Sequence, residues 1–158
     1  MERERLEFDV VIVGAGPAGL AAAIRLKQLA AEQGRDFEVC VVEKAPALGA
    51  HSLSGAVVDP RALEELLPDF RRRGCPIEEE NLHDAVFYLT EERAWRLPWI
   101  PPFLHNEGAF VASLSRFCAW LGAIAEEMGV NVFPGFAAVE TLFDGSSPRV
   151  LGVRTGDK

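Results

Sequence analysis

Three glycines at fixed spacing, Gly14, Gly16 and Gly19, form the motif in this sequence that most directly indicates chemistry. In a Gly-x-Gly-x-x-Gly turn the first glycine permits a tight bend, the second leaves room for a pyrophosphate, and the third lets a helix pack closely on a strand. A helix that begins there directs its free N–H groups at the phosphates, and Pro17 suits its first turn. We therefore predict a phosphate-binding turn. Its residues are Gly14, Ala15, Gly16, Pro17, Ala18 and Gly19.

An acidic side chain, Glu43, ends the next apolar run and stands 24 residues after Gly19. A carboxylate in that place can accept hydrogen bonds from both ribose hydroxyls of an adenosine. The turn and the acid together predict dinucleotide binding. The alternative is a glycine-rich structural turn beside an ordinary solvated glutamate.

The elements that must position these residues are a strand, a helix and a second strand. Residues 10–13 are uninterrupted apolar β-formers, which is typical of a strand covered on both faces of a parallel sheet. Residues 34–36 predict a turn, and residues 37–42 predict a second buried strand. The helix before that turn follows the helical period. Its predicted apolar face comprises Gly19, Ala22, Ala23, Leu26, Leu29 and Ala30.

The composition indicates a globular domain with an acidic surface. A chain of 158 residues with 49% hydrophobic content can bury one sizeable core. The formal charge of −8 argues against electrostatic binding to nucleic acid. The basic run at 71–73 is balanced by acidic residues before and after it in the sequence. The start of the chain is charged, so we expect no signal peptide and cytoplasmic synthesis. No apolar run reaches the roughly 18 residues that span a bilayer.

The cysteines, Cys40, Cys75 and Cys118, show none of the spacings of a zinc site or an iron–sulfur cluster. Cys40 and Cys118 occupy apolar positions of predicted elements and are expected to be small buried hydrophobes. Cys75 is expected to be a loop thiol. We predict no metal site in this chain.

After Glu43 a nicotinamide-binding Rossmann domain would normally continue through a short loop into its next helix, but here residues 45–58 form a stretch of small residues interrupted by glycine. Such a stretch can run extended along a cofactor and offer its backbone N–H groups to the second half of a dinucleotide. This favours FAD over NAD. The alternative is a mobile surface loop.

A short amphipathic helix is predicted next, with Asp59 as its N-cap and Pro60 as its first residue. We expect it to pack on its own domain, with contact to a membrane surface as the alternative. Its apolar face comprises Ala62, Leu63, Leu66 and Leu67.

Residues 69–83 are charged and predicted to be a loop, and residues 85–89 and 94–97 are predicted to form a β-hairpin. Residues 97–104 combine apolar side chains with three prolines, which forbid regular structure. We expect this segment in the core, with a lipid or partner surface as the alternative.

The remaining residues predict a further strand, a helix, the next parallel strand and a hairpin. The bounds are 109–112 for the strand, Ser113 to about Met128 for the helix, 131–133 for the parallel strand, and 136–143 with 149–154 for the hairpin. Gly129 is the expected helix stop. The order is β-α-β, an insertion, and β-α-β. A doubly wound sheet would need one further strand, so the predicted α/β domain is incomplete.

Four segments together resemble the N-terminal part of electron transfer flavoprotein–ubiquinone oxidoreductases, over nearly the whole chain. They are Gly14–Gly19, Glu43 with Lys44, residues 49–60 and residues 133–138. The first is shared with many flavoproteins, whereas Gly-Ala-His-Ser-Leu-Ser-Gly-Ala at 49–56, with Asp-Pro after it, is far more restrictive.

The resemblance implies a Rossmann-like FAD-binding fold of the glutathione-reductase and hydroxylase type. It divides the chain into an adenosine-binding βαβ unit at 1–44, a cofactor loop, amphipathic helix and insertion at 45–108, and a strand-helix-strand with hairpin at 109–158. It also implies an enzyme that takes electrons from reduced electron transfer flavoprotein, passes them through FAD and a [4Fe–4S] cluster, and reduces a membrane quinone. The cysteines for that cluster lie downstream in the family, so we read the chain as a fragment that is inactive alone.

The same resemblance implies which residues contact FAD. The glycine turn holds the pyrophosphate, and Glu43 the ribose. The remaining contacts are Lys44, His51, Ser54, Gly55 and Ala138. No residue is predicted to be catalytic, with proton transfer by His51 as the less favoured alternative. Ser113 stands where some relatives carry an arginine, which puts a charged cofactor contact there in doubt.

The implied location is peripheral to the inner face of the plasma membrane, or to the mitochondrial inner membrane in a eukaryote, with contact through residues 48–69. Two alternatives remain open. One is an FAD-dependent reductase or monooxygenase of the geranylgeranyl-reductase or hydroxylase type, and the other is a non-catalytic nucleotide-binding fragment.

Overall fold

The computed structural model describes residues 4–53, 55–80, 83–145 and 147–156. These residues contain ten strands and three α-helices. The strands are β1 Val10–Val13, β2 Val39–Glu43, β3 Ala56–Val58, β4 Ile77–Glu79, β5 Phe87–Leu89, β6 Ala94–Arg96, β7 Phe110–Ala112, β8 Asn131–Pro134, β9 Ala138–Phe143 and β10 Val150–Thr155. The helices are α1 Pro17–Glu32, α2 Arg61–Leu66 and α3 Leu114–Glu127. Residues 1–53 and 114–158 form one compact unit, and residues 54–113 form a second.

The first unit contains a parallel sheet with the strand order β1-β2-β8. The central strand β2 is buried on both faces from Val39 to Val42, as predicted. In β1, however, Val11 and Val13 are exposed, so the prediction of burial on both faces is wrong for this strand. Alternate residues of a strand point to opposite faces, so one face of β1 is open at this edge of the described sheet.

Helix α1 forms where the motif predicts it, and its buried stripe shares Ala23 and Ala30 with the predicted face but differs elsewhere. Leu20 and Ile24 are fully buried, whereas Ala22 is exposed and Leu26 only half-buried. The predicted apolar face is therefore rotated. Alanine-rich helices carry little side-chain contrast, so the packing of α1 against β2 and α3 decides which side is covered.

Helix α3 forms as predicted and buries one apolar stripe, which includes Phe117, Cys118 and Leu121. It ends as predicted at Gly129, which has a left-handed backbone conformation with φ 81°. The Val130 N–H donates to the carbonyl of Ala125 at 3.0 Å, which satisfies a carbonyl of the last turn. The predicted terminal hairpin also forms, from β9 and β10.

The second unit contains a separate antiparallel sheet with the order β3-β7-β4. The strand predicted at 109–112 forms as β7, but it pairs with β3 and β4 and does not continue the parallel series. Strand β4 lies inside residues 69–83, so the prediction of a loop there is wrong for Ile77–Glu79. Strands of three residues carry too little pattern to be recognised, and pairing with β7 defines them.

Helix α2 begins at Arg61, one residue later than predicted, because Pro60 occupies the cap position. The Asp59 side chain still accepts a hydrogen bond from the first turn of the helix, because the Arg61 N–H donates to its Oδ1 at 3.0 Å. Leu63 and Leu67 are buried, and α2 therefore packs on its own unit. Of the predicted apolar face, Ala62 is exposed and Leu66 half-buried, so Leu63 and Leu67 are the two residues of this face that the fold covers.

The predicted hairpin at 85–97 is confirmed as β5 and β6, with Tyr88 stacked on Trp95 at 6.0 Å between ring centroids. Residues 97–104, by contrast, do not join a core. Trp99 is 62% exposed and Phe103 is 84% exposed. Together the two segments form an apolar hairpin surface. Its exposed residues are Phe87, Tyr88, Leu89, Trp95, Leu97, Trp99, Phe103 and Leu104.

Candidate dinucleotide-binding site

The glycine turn joins β1 to α1 at the end of the parallel sheet. Gly14 has φ 101°, and its N–H donates to the carbonyl of Val42 at 2.8 Å, which ties the turn to β2. A Cβ atom built on Gly14 or Gly16 meets no atom within 4 Å. The space beside both glycines is therefore open, as a phosphate cradle requires.

Gly19, unlike Gly14 and Gly16, has no room for a side chain. A Cβ atom there would overlap the carbonyl oxygen of Gly14 and lie 3.3 Å from Cγ2 of Ile12. The absence of a side chain is what lets α1 lie this close to β1. The packing role that the sequence predicts for the third glycine is confirmed.

Glu43 faces the turn. The Ala15 N–H donates to its Oε2 at 2.8 Å, and the Ala45 N–H donates to its Oε1 at 2.7 Å. The carboxylate thus joins the glycine turn to the loop after β2. A carboxylate has about four acceptor positions, so capacity remains for two ribose hydroxyls. The predicted proximity of acid and turn is confirmed.

The loop after β2 is folded, which differs from the extended course predicted for residues 45–58. The Ala50 N–H donates to the carbonyl of Ala47 at 3.2 Å, and the Ser52 N–H donates to that of Gly49 at 2.9 Å. Its last residues, 56–58, are extended in β3. Backbone hydrogen bonds within the loop compete with the extended conformation and stabilise the turns.

The chain returns to this loop after β8, a contact that the motif spacing does not predict. The Gly135 N–H donates to the carbonyl of Ala45 at 2.7 Å, and the Phe136 N–H donates to that of Glu43 at 2.8 Å. Gly135 has φ 80°, which permits the bend. The Pro-Gly pair at 134–135 is the sequence signal that marks such a turn.

The other predicted contact residues belong to several different segments of the chain. Lys44 and His51 are exposed, and Ala138 opens β9 opposite Thr155. Gly55 belongs to the second unit and has φ 85°. Ser54 lies outside the described residues.

The thiols are poor nucleophiles and metal ligands. All three are buried, and the predicted loop thiol Cys75 is no exception. Burial raises the pKa of Cys75 to about 11, with a smaller opposing effect of Arg71. Burial also raises the pKa of Cys118, against a hydrogen bond from Ser52. Among the described residues, no group of three or more His, Cys, Asp or Glu side chains is placed to hold a metal ion.

The charged cluster at 69–80 compensates itself, as predicted from its composition. Arg73 Nε lies 2.9 Å from Asp69 Oδ1, and Arg71 pairs with Glu80 while stacking over Phe70. Paired surface charges of this kind leave little net field for a polyanion. In the part of the chain that the structure describes, no helix has the length and apolar character needed to cross a bilayer.

The parallel β1-β2-β8 sheet, its glycine turn and the acid at the end of β2 define a Rossmann-like domain. Residues 12–68 match the family described as NAD(P)-binding Rossmann-like domain. The residues present fit a dinucleotide, because open space, helix N–H groups and an acceptor lie together at one sheet edge. The particular resemblance to electron transfer flavoprotein–ubiquinone oxidoreductases is also confirmed.

The chain is 52% identical over 99% of its length to the electron transfer flavoprotein-ubiquinone oxidoreductase of Pseudomonas aeruginosa, of which it covers 29%. It is likewise 52% identical to the mitochondrial protein of the same name from Dictyostelium discoideum, of which it covers 25%. The chain therefore spans less than a third of these curated relatives, at their N-terminal part.

Solved structures with the same fold are more distant in sequence. A geranylgeranyl bacteriochlorophyll reductase-like protein from Thermoplasma acidophilum has a TM-score of 0.62 at 20% identity, with 94% of this chain and 34% of that one covered. The protein FqzB has a TM-score of 0.63 at 18% identity, with 94% and 32% covered. These likenesses establish the fold.

Proposed function

We propose that this chain is the adenosine-binding part of an FAD-dependent oxidoreductase that accepts electrons from reduced electron transfer flavoprotein and delivers them to a membrane quinone. The observation that carries the proposal is the 52% identity over nearly the whole chain to proteins of that name. The contact of Glu43 with the glycine turn supplies the matching geometry. We favour FAD over NAD(P) because these relatives match the chain over nearly its full length. The match to the NAD(P)-binding Rossmann-like family covers only residues 12–68.

Each residue of the site has a binding role in this proposal. The turn Gly14–Gly19 holds the pyrophosphate by backbone N–H groups, and the first turn of α1 adds its dipole. Glu43 accepts the ribose hydroxyls with the acceptor positions that Ala15 and Ala45 leave free. The remaining proposed contacts with FAD are Lys44, His51, Ser54, Gly55 and Ala138.

FAD, when bound, supplies the electron-transfer chemistry. The chain's own residues then have to bind the cofactor and orient it, and no general acid or base is needed among them. The exposed position of His51 agrees with a contact role. The [4Fe–4S] cluster and the contacts with electron transfer flavoprotein belong, in this proposal, to the part of the protein that this chain does not cover.

We place the membrane contact at the apolar hairpin surface and no longer throughout residues 48–69. Within 48–69, Leu63 and Leu67 are buried, and Leu53 is the large side chain that stands out, with 87% exposure. The apolar hairpin surface instead exposes two tryptophans and several large aliphatic and aromatic side chains. A protein that reduces a quinone dissolved in a bilayer needs such a surface to reach its substrate.

The test uses the full-length protein that carries this segment. Its FAD should be reduced by reduced electron transfer flavoprotein and not by NADPH, and a soluble ubiquinone analogue should then reoxidise it. Rapid reduction by NADPH alone would instead establish a reductase or monooxygenase. Folded protein that takes up no FAD would establish a non-catalytic fragment.

A further inference from the structure

Residues 48–52 pack against one face of helix α3 through a set of unusually close approaches. The α3 residues involved are spaced i, i+3 and i+7, and they therefore lie on a single stripe of the helix. We call this contact the loop–helix joint. Its residues are Leu48, Gly49, Ser52, Ser115, Cys118 and Gly122.

Gly49 satisfies two requirements of the joint at once. Its φ of 77° is a left-handed conformation that other residues rarely adopt. A Cβ atom there would also lie 2.7 Å from Cα and 2.8 Å from the carbonyl carbon of Ser115. The obstacle is backbone and cannot rotate away, so this approach requires glycine.

Gly122 makes the second approach, from the helix side. A Cβ atom at this position would overlap Cδ1 of Leu48 and lie 3.5 Å from its Cγ. Glycine inside a helix is less favourable than alanine, so its presence needs a packing reason, and Leu48 provides one. Here the obstacle is the end of a flexible side chain, so a second substitution can remove it.

The joint begins three residues after Ala45, whose N–H binds the carboxylate proposed to hold the ribose. The loop therefore has one end fixed at Glu43 and its middle fixed on α3. Ser52 Oγ lies 4.0 Å from Cys118 Sγ, which extends the same contact toward His51. Both anchors belong to the first compact unit.

We propose that Gly49 and Gly122 are positioning residues, because they allow residues 48–52 to pack on α3. The packed loop then orients the flavin half of FAD. The glycine turn and Glu43 hold the adenosine half independently. This inference rests on the proposed binding of FAD. In this proposal, the two halves of the cofactor site are supported by different elements of the fold.

The test uses the full-length apoprotein and measures the affinities of FAD and of ADP by calorimetric titration. Gly122→Ala should weaken FAD binding by about tenfold and alter the flavin absorption spectrum, while the affinity for ADP stays within about twofold. Adding Leu48→Ala removes the overlapping methyl group and should restore most of the lost FAD affinity. Ala123→Ser, on the exposed side of the same helix, is the matched control and should change neither affinity.

Four outcomes decide between the explanations. Equal losses of FAD and ADP affinity in Gly122→Ala would show a general structural defect and overturn the positioning role. Unchanged FAD affinity, or no rescue by Leu48→Ala, would overturn it as well. An unsubstituted protein that binds ADP but not FAD would refute the proposed function itself. In that case amide exchange still tests the joint: the amides of residues 50–52 should exchange faster in Gly122→Ala than in the variant that also carries Leu48→Ala.

Discussion

The Ala15 N–H donates to Glu43 Oε2 at 2.8 Å, so the acid at the end of β2 and the glycine turn are in direct contact. The same carboxylate accepts the Ala45 N–H at 2.7 Å through its other oxygen. Glu43 is thereby held in place by backbone donors before any ribose arrives. Preorganisation of this kind reduces the entropy that ligand binding must otherwise overcome.

Glu43→Gln should weaken FAD binding by about tenfold or more, because one of its two backbone donors would then face an NH₂ group. Titration of the apoprotein with FAD measures the loss. Glu38→Gln, at an exposed position before β2, is the control and should leave the affinity unchanged. Equal affinities for the unsubstituted protein and Glu43→Gln would refute the ribose assignment.

Gly16→Val should abolish FAD binding without unfolding the protein. Gly16 has φ −75°, and its side-chain direction is open, so valine is compatible with the apo fold but occupies the phosphate space. Melting curves of the apoprotein together with flavin content after purification check both parts. Full flavin occupancy in this variant would contradict the phosphate assignment.

Gly19→Ala should act differently, through stability. The new methyl group would overlap the backbone of Gly14, and separating α1 from β1 should cost about 1–3 kcal/mol in the free energy of unfolding. Denaturant unfolding of the apoprotein measures this loss. Stability equal to that of the unsubstituted chain would show that α1 can move away without cost.

Protonation of Asp84 should open the segment that carries the hairpin. The N–H and side-chain amide of Asn106 donate to Asp84 at 2.7 and 2.8 Å, and these bonds lower the pKa of the carboxyl. A lowered folded-state pKa stabilises the fold above the unfolded value of about 3.9, and that contribution is lost as the pH falls through the lowered value. Amide exchange at Asn106, corrected for the intrinsic pH dependence, should therefore accelerate in strongly acidic buffer. The variant Asp84→Asn should show fast exchange at neutral pH, and protection that does not respond to pH would contradict this role.

Replacing Trp99 and Phe103 by serine should reduce binding of the full-length protein to neutral phosphatidylcholine vesicles. Both side chains are largely exposed, and a neutral vesicle surface leaves apolar contact as the attractive force. Leu53→Ser tests the competing segment 48–69 and should have little effect. Sedimentation with vesicles measures the difference, and a larger loss for Leu53→Ser would return the contact to residues 48–69.

The sequence by itself determined the chemistry of the turn. The spacing of Gly14, Gly16 and Gly19 and the position of Glu43 encode local backbone conformation and chain direction, and both are decided within a few residues of the motif. The helix stop at Gly129 and the hairpin of β5 and β6 are predictable for the same reason. The restrictive segment around His51 added the family resemblance.

Only the tertiary structure decided the burial and the pairing of several other elements. The rotated face of α1, the antiparallel pairing of β7, the short strand β4 and the exposure of Trp99 and Phe103 all depend on partners distant along the chain. The closeness of Gly122 to Leu48 has the same origin. Burial is a property of two surfaces that meet, so a pattern read along one segment specifies its own conformation but not the partner that covers it.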